Sequence, residues 1–311
     1  MATLGAGGIA AACCGVCGWL LWSRESAPPA PPAVRPAPPP PPPPPEPTVQ
    51  VTTADEPTIL AHVAEHLTVF QLDVNPNIKV LDFPTLRMQG EMLNRVASLI
   101  EKAGLPRNRV LTDAQLTEAI RRADDTVETY YYGHDYRASA VARLFSLADQ
   151  EHVPLDPEEQ RLHAMLRQFG WFRPGAVGAL ISVTRTNETI NQQSRATILH
   201  HELSHGQFFT DDAYASHVQA FWTGMMTEAE RAAMRRFLGS MDYDTSFEEL
   251  MYNEMQAYMM FTYDPRFFLP ENVEMTAARR LQLQSAFLGG MPESWLKLAL
   301  ARHVQQQQQA L

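Results

Sequence analysis

The sequence predicts an α+β domain in which helices dominate and the sheet is small. Apolar residues recur at helical spacing over residues 86–103 and 137–150. A capping box (TDAQ) predicts a further helix over residues 112–123. Strand patterns are few, and the two best cover residues 78–83 and 176–183.

The composition is typical of a globular protein and argues against a nucleic-acid-binding surface. The chain has 311 residues, and 45% of them are apolar, which is enough to form a hydrophobic core. The formal net charge is −10, and no stretch concentrates basic residues. We therefore expect no nucleic-acid partner.

The first 25 residues carry an uncharged apolar stretch over residues 4–22, whose length is close to that of a bilayer-spanning segment. We interpret residues 1–25 as a signal anchor or an export signal, through which the protein contacts a membrane. All three cysteines lie here, so the globular part has no disulfide and no cysteine metal ligand. These features favour a membrane-anchored or exported protein of a bacterial cell envelope, on the periplasmic side. Cleavage, lipidation and retention of the segment all remain open.

A proline-rich linker over residues 26–50 follows the apolar stretch. Its unbroken run from Pro38 to Pro45 predicts a stiff polyproline II spacer, because proline fixes φ and removes the amide donor. The folded domain is expected over residues 51–303. The glutamine-rich residues 304–311 are expected to form a polar tail.

The segment Ala196–Phe209 reads ATILHHELSHGQFF and contains an HExxH motif, His201-Glu202-Leu203-Ser204-His205. Residues four apart share a helix face, so His201 and His205 can direct their imidazoles at one metal ion, for which Zn²⁺ is the best candidate. Glu202 follows the first histidine, and from there its carboxylate can act on a water molecule at the metal without being a ligand. The apolar flanks predict a buried helix, in which two histidines and a glutamate would be costly without such a partner.

A catalytic zinc usually has three protein ligands, and Glu254 is the best candidate for the third. It lies in YNEMQAY, within a predicted helix that a capping box from Ser246 to Glu249 would open. The methionines around Glu254 predict that this helix is mostly buried. Tyr258 lies one turn later on the same face, where it could contact a ligand or polarise a substrate carbonyl.

Together HHELSH and the downstream NExxAY resemble the zincin metallopeptidases, and within them the gluzincin type. The resemblance covers residues 196–258 and implies a zincin-like domain with a small sheet and an active-site helix. It also implies a zinc metallopeptidase that cleaves a peptide or protein substrate, with His201, His205 and Glu254 as zinc ligands and Glu202 as the general base. The gluzincin pattern often has an aspartate, the carboxylate partner of a zinc-bound histidine, at the position where this chain has Tyr258.

The alternative third ligand is Asp211, which occupies the ligand position of the related metzincin pattern. That pattern requires a glycine at position 208, where this chain has Phe208. Without the glycine the helix is not expected to turn sharply enough to return Asp211 to the metal.

Two further features bear on substrate binding. The segment Tyr130–Tyr136 (YYYGHDY) is read as a loop, either for substrate binding or for simple aromatic packing. The donor that stabilises an oxyanion is expected to be Tyr258 or His134. The strand over residues 176–183 is expected to be an edge strand that pairs with extended substrate.

A second hypothesis from another class is a metal-stabilised scaffold or binding module of the cell envelope, with little or no catalysis. The proline-rich linker and the tyrosine-rich segment would suit such a role. Metal removal separates the two hypotheses, since a scaffold should lose stability and a catalytic site should lose activity.

Overall fold

The computed structural model describes residues 48–309. The apolar stretch, the cysteines and the proline run predicted from the sequence lie outside these residues. Within residues 48–309, no helix combines the length and the apolar character needed to cross a bilayer.

A mixed five-stranded sheet forms the centre of the described part. Its strands are β1 (Val51–Ala54), β2 (Thr68–Leu72), β3 (Ile78–Phe83), β4 (His134–Arg137) and β5 (Ala179–Thr184). They lie in the order β1-β2-β3-β5-β4. The pairs β1–β2 and β3–β5 are parallel, whereas β2–β3 and β5–β4 are antiparallel.

Two expectations about the sheet are wrong. The strand predicted over residues 176–183 begins at Ala179 and is an interior strand, since β5 pairs with β3 on one side and β4 on the other. All six of its residues are buried, which explains its continuous apolar pattern. The segment 130–136, read as a loop, contributes β4, and this four-residue strand is an edge of the sheet.

Eleven α-helices are described, and they confirm an α+β fold dominated by helix. They are α1 (Glu56–Ala61), α2 (Leu86–Ile100), α3 (Asp113–Arg122), α4 (Ala138–Gln150), α5 (Pro157–Phe169), α6 (Gln192–Thr210), α7 (Asp212–Gly224), α8 (Glu228–Gly239), α9 (Glu248–Gln256), α10 (Ala277–Gly290) and α11 (Trp295–Gln309). A π-helical turn, Ala257–Phe261, continues α9, and a short 3₁₀ turn covers Pro270–Val273.

Local signals predicted some helix ends and missed others. The capping box of α3 is present, with Thr112 and Gln115 bonded reciprocally. The capping box expected at Ser246 is not formed, because α9 begins one residue later and the Ser246 hydroxyl donates to Asp244 instead. The C-terminal residues differ as well: α11 continues through the glutamines to Gln309 and buries Val304.

Three apolar clusters hold these elements together. One fills the space between the sheet and α6, another lies on the opposite sheet face under α2, α4 and α5, and the third joins α7 to α11. The helix that carries the HExxH motif therefore packs on the sheet on one side and on the C-terminal helices on the other.

Candidate metal centre

A buried ion pair fixes α6 on the sheet. Asn191 caps the helix, since its side chain accepts from the Ser194 amide. One turn on, the Arg195 guanidinium donates two hydrogen bonds to the Asp82 carboxylate of β3, at 3.0 and 2.9 Å. Both side chains are almost completely buried. This fork-to-fork contact fixes the rotation of α6, and with it the direction of the residues that follow.

Three potential ligand atoms lie close together, two of them from α6 and one from α9. The Nε2 atoms of His201 and His205 lie 3.1 Å apart. Oε2 of Glu254, on α9, lies 3.9 Å from the first and 3.8 Å from the second. The nearest point equidistant from these three atoms, in their common plane, is about 2.1 Å from each, and zinc binds imidazole and carboxylate at about 2.0–2.2 Å.

Packing between α6 and α9 delivers the Glu254 carboxylate to this position. The Gln256 amide donates to the Ser204 hydroxyl at 3.1 Å, and its carbonyl accepts from the Tyr214 hydroxyl at 2.7 Å. All three side chains are buried. The π-helical turn begins at the next residue and widens the helix there, as is common beside functional sites.

The surroundings of the three candidate ligands shift their pKa values and leave one carboxylate oxygen unpaired, as is expected of a cation site. Oε2 of Glu254 is buried without a hydrogen-bond partner, although it faces both histidines. Burial raises the pKa of Glu254, and the carboxylates of Glu101 and Glu202 raise it further. Burial lowers the pKa of His205 to about 4 and that of His201 well below its usual value, so both imidazoles are neutral and able to bind a metal.

The hydroxyl of Thr262 determines which nitrogen of His201 carries the proton. Thr262 Oγ1 donates to the Ala257 carbonyl at 3.0 Å and lies 2.7 Å from His201 Nδ1. Because its single hydrogen is used, the oxygen accepts from Nδ1–H. The lone pair of His201 is therefore on Nε2, the nitrogen that faces Glu254.

An aspartate lies on the corresponding side of His205. Asp135 Oδ1, from β4, is 3.6 Å from Nδ1 of His205. If these two atoms moved slightly closer, they would form the carboxylate–histidine hydrogen bond that often accompanies a metal-bound imidazole. The gluzincin pattern would place this carboxylate at position 258, where the chain has tyrosine, and Asp135 on β4 is the candidate instead.

The general-base candidate Glu202 also lies at the centre. Its carboxylate is buried, with one oxygen unpaired, and lies within 4.8 Å of ring nitrogens of His201 and His205. Burial and the charge of Glu101 raise its pKa. Gly133 makes room for it: a Cβ at that position would lie 2.2 Å from Glu202 Oε1.

The two donors expected for an oxyanion lie in different places. Tyr258 lines the same cavity as Glu202, and its ring packs edge-on against His201 with centroids 4.7 Å apart. Burial and the nearby Glu254 raise the pKa of Tyr258, which keeps the hydroxyl protonated. His134 is not available, because strand alternation turns it to the other sheet face, where Nδ1 lies 2.9 Å from Ser182 Oγ.

Asp211, the alternative third ligand, is occupied elsewhere. It caps α7, where Oδ1 accepts from the amides of Ala213 and Tyr214 at 3.0 and 3.1 Å. Its other oxygen accepts from Gln207 Nε2 at 2.8 Å. Since α6 continues past Phe208 to Thr210 before the chain turns, Asp211 is carried away from the histidines.

The centre opens on one side into a cavity of about 180 Å³. Aromatic residues from the tyrosine-rich segment form one wall, and residues from the end of α2 form another. Side chains that line it include Glu101, Lys102, Tyr130, Tyr131, Tyr243 and Tyr258, together with His201 and Glu202. The YYYGHDY segment therefore both packs the core, through Tyr136, and lines the cavity.

Sequence reasoning missed Thr262, Asp135, Glu101 and Lys102 as parts of this region. Asp135 lies in the tyrosine-rich segment, two residues after Gly133. If that segment is read as a strand, alternation places Asp135 and His134 on opposite faces of the sheet. Thr262 follows Glu254 by eight residues, and no helical periodicity predicts the π-helical turn between them.

Comparison of the chain with protein-family models, with curated proteins and with solved structures gave no match.

Proposed function

We propose that the protein is a zinc-dependent hydrolase of peptide bonds with a zincin-like centre. The observation that carries this proposal is the convergence of two neutral imidazoles and the unpaired Glu254 oxygen around one point at zinc-binding distance. His201, His205 and Glu254 would hold the ion. When bound, zinc supplies a Lewis acid that polarises a carbonyl and makes water more acidic.

An open cavity favours catalysis over a purely structural role. Structural zinc sites are closed by four protein ligands, whereas catalytic sites keep a position for water or substrate. Here His201, one of the three ligand candidates, lines a cavity of about 180 Å³ together with Glu202, so water or substrate can reach the centre from this side. Removal of zinc is therefore expected to abolish activity while the fold persists, and a scaffold would show loss of stability alone.

The roles of the chain's own side chains follow from their positions. Glu202 takes a proton from the attacking water and returns it to the leaving amine. Its buried surroundings favour this role, since a raised pKa makes the carboxylate a better proton acceptor. Tyr258 keeps its proton and lies in the same cavity, which suits donation to a developing oxyanion.

The edge strand β4 replaces β5 as the proposed partner for an extended substrate. Residues from its N-terminal end and the preceding segment line the cavity at the centre. The residues Asp135 to Arg137 line a second cavity of about 260 Å³, with Arg143 and Phe247. A peptide that added a strand to this edge would extend from one cavity to the other.

Substitution of Glu202 tests the mechanism. In the zinc-loaded protein, Glu202→Gln should lower kcat for peptide cleavage by about 10²–10⁴-fold, because it removes the proton acceptor. Bound zinc, measured by metal analysis, should stay at the wild-type ratio. Glu188→Gln, in an exposed loop, is the matched control and should leave both values unchanged. Full activity in the Glu202→Gln protein would rule out this mechanism.

A further inference from the structure

A buried lysine lines the cavity beside the proposed catalytic centre. Lys102 follows the end of α2 and is only 6% exposed. Among the described residues that line this cavity it is the one Lys or Arg side chain, whereas Glu101, Asp135 and Glu202 contribute carboxyl groups. Its position makes it the natural contact for a negatively charged part of a bound molecule.

Lys102 has no acidic partner within residues 48–309, as no carboxylate oxygen lies within 4.0 Å of its nitrogen. The ammonium instead lies over the rings of Tyr130 and Tyr131, with distances of 4.3 and 4.8 Å to their centroids. Burial lowers the pKa of Lys102, although the more distant charges of Asp242, Asp125 and Glu101 oppose this. A buried ammonium without a paired anion is costly, and proteins usually pair such a group.

The backbone around Lys102 is held firmly. An isolated antiparallel bridge pairs Lys102 with Tyr243. The Ala103 amide donates to the Asp242 carbonyl at 2.8 Å, and the Asp244 amide donates to the Glu101 carbonyl at 2.9 Å. These bonds fix the start of the Lys102 side chain relative to the cavity, so that a ligand would meet a preorganised group.

We propose that Lys102 binds a carboxylate of the substrate residue that enters this cavity, so that the enzyme prefers peptides with a carboxylate near the bond to be cleaved. This inference rests on the proposed peptidase function. The cavity of about 180 Å³ is lined by Lys102 and by Glu202, so a residue that enters it beside the centre would meet the ammonium. The carboxylate can belong to the C-terminus of the peptide or to an Asp or Glu side chain, and both present the same group to the ammonium.

Binding to a protein that does not cleave separates recognition from catalysis. The zinc-loaded Glu202→Gln protein would be titrated with four N-acetylated peptides: Ac-AAAA-OH, Ac-AAAA-NH2, Ac-AEEA-NH2 and Ac-AQQA-NH2. The first pair tests the C-terminal carboxylate, and the second pair tests an acidic side chain. We expect the acidic member of at least one pair to bind about tenfold more tightly, which is typical of one charge-assisted hydrogen bond.

The preference must depend on Lys102. Addition of Lys102→Met, which keeps the length of the side chain and removes its charge, should equalise the two members of that pair. Lys297→Met, at an exposed ion pair with Glu293, is the matched control and should keep the preference. If Lys102→Met does not fold by circular dichroism, Lys102→Gln takes its place.

The possible outcomes are distinct. Equal or absent binding of acid and amide by the Glu202→Gln protein overturns the inference, and so does a preference that survives loss of the Lys102 charge. If the wild-type protein cleaves none of the four peptides but binding keeps its dependence on Lys102, the carboxylate site stands and the proposed hydrolysis fails. If the wild-type protein cleaves the peptides but binding shows no preference for the acidic members, the proposed hydrolysis stands and the carboxylate site fails.

Discussion

At the residue scale, the candidate metal centre depends on groups that do not contact the proposed metal position. Thr262 accepts from His201 Nδ1–H because its own hydrogen is donated to the Ala257 carbonyl. This arrangement selects one tautomer and one ring orientation before any ion binds. The Nε2 lone pair is then ready, and zinc binding need not reorganise the ring.

Thr262→Val should therefore weaken zinc binding by about 10–100-fold, the usual cost of losing such a supporting contact. The substitution keeps the side-chain shape and removes the acceptor. Competition with a chromophoric chelator would measure the affinity. Thr223→Val is the control, because the Thr223 hydroxyl bonds only to carbonyls of its own helix. Unchanged affinity in the Thr262→Val protein would mean that this contact does not orient His201.

Spacing within one helix predicted the residues that lie close together along the chain. His201, Glu202 and His205 follow from a four-residue repeat, and Glu254 from a second buried helix. Asp135 and Thr262 could not be predicted in this way, since each reaches its histidine from an element whose position is set by long-range packing. Asp211 has the spacing of the third ligand in the metzincin pattern, but its carboxylate serves as a helix cap.

At the element scale, the tyrosine-rich segment and β4 lie directly against α6. Asp135 reaches towards His205, and Gly133 lies against the Glu202 carboxylate with no space for a side chain. A side chain at position 133 would therefore displace the Glu202 carboxylate. The position of the proposed base depends on this contact.

Gly133→Ala tests that dependence. The new methyl group would overlap Glu202 Oε1 and push the carboxylate from its place, so kcat should fall by at least tenfold while zinc binding stays within a few-fold of wild type. Gly224→Ala, at the end of α7 where a Cβ meets open space, is the control and should keep full activity. Wild-type kcat in the Gly133→Ala protein would show that Glu202 does not need this position.

Elements with their own local patterns were predicted better than those defined by distant partners, although the capping box at Ser246 was wrong. The capping box of α3 and the apolar strand β3 carry their own patterns and were confirmed. Strand β4 has only four residues, and it is a strand because it pairs with β5, whose residues are 42 or more positions away along the chain. The same pairing makes β5 an interior strand, which its sequence alone does not reveal.

At the scale of the whole molecule, burial of ionisable groups links stability to pH. His134 lies on the sheet face opposite α6, and burial lowers its pKa to about 3. In the unfolded chain a histidine takes a proton near pH 6.5. Between these two values the unfolded state binds a proton that the folded state does not, so the protein loses stability as the pH falls through this window.

His134→Phe should reduce this loss of stability. Between pH 7 and pH 5 the free energy of unfolding of the wild type should fall by about 2 kcal/mol more than that of the variant, because the phenyl ring does not titrate. Urea unfolding at both pH values, with a chelator present throughout, measures the difference. Parallel changes in the two proteins would contradict a neutral, buried His134.

The position of bound zinc is the sharpest test of the proposed ligands. A crystal structure of the zinc-loaded protein, with diffraction data measured on both sides of the zinc absorption edge, would locate the ion by its anomalous signal. We predict one strong peak per chain, about 2.0–2.2 Å from Nε2 of His201, Nε2 of His205 and a carboxylate oxygen of Glu254. A peak coordinated by Asp211, or no peak among these three side chains at full zinc occupancy, would contradict the account.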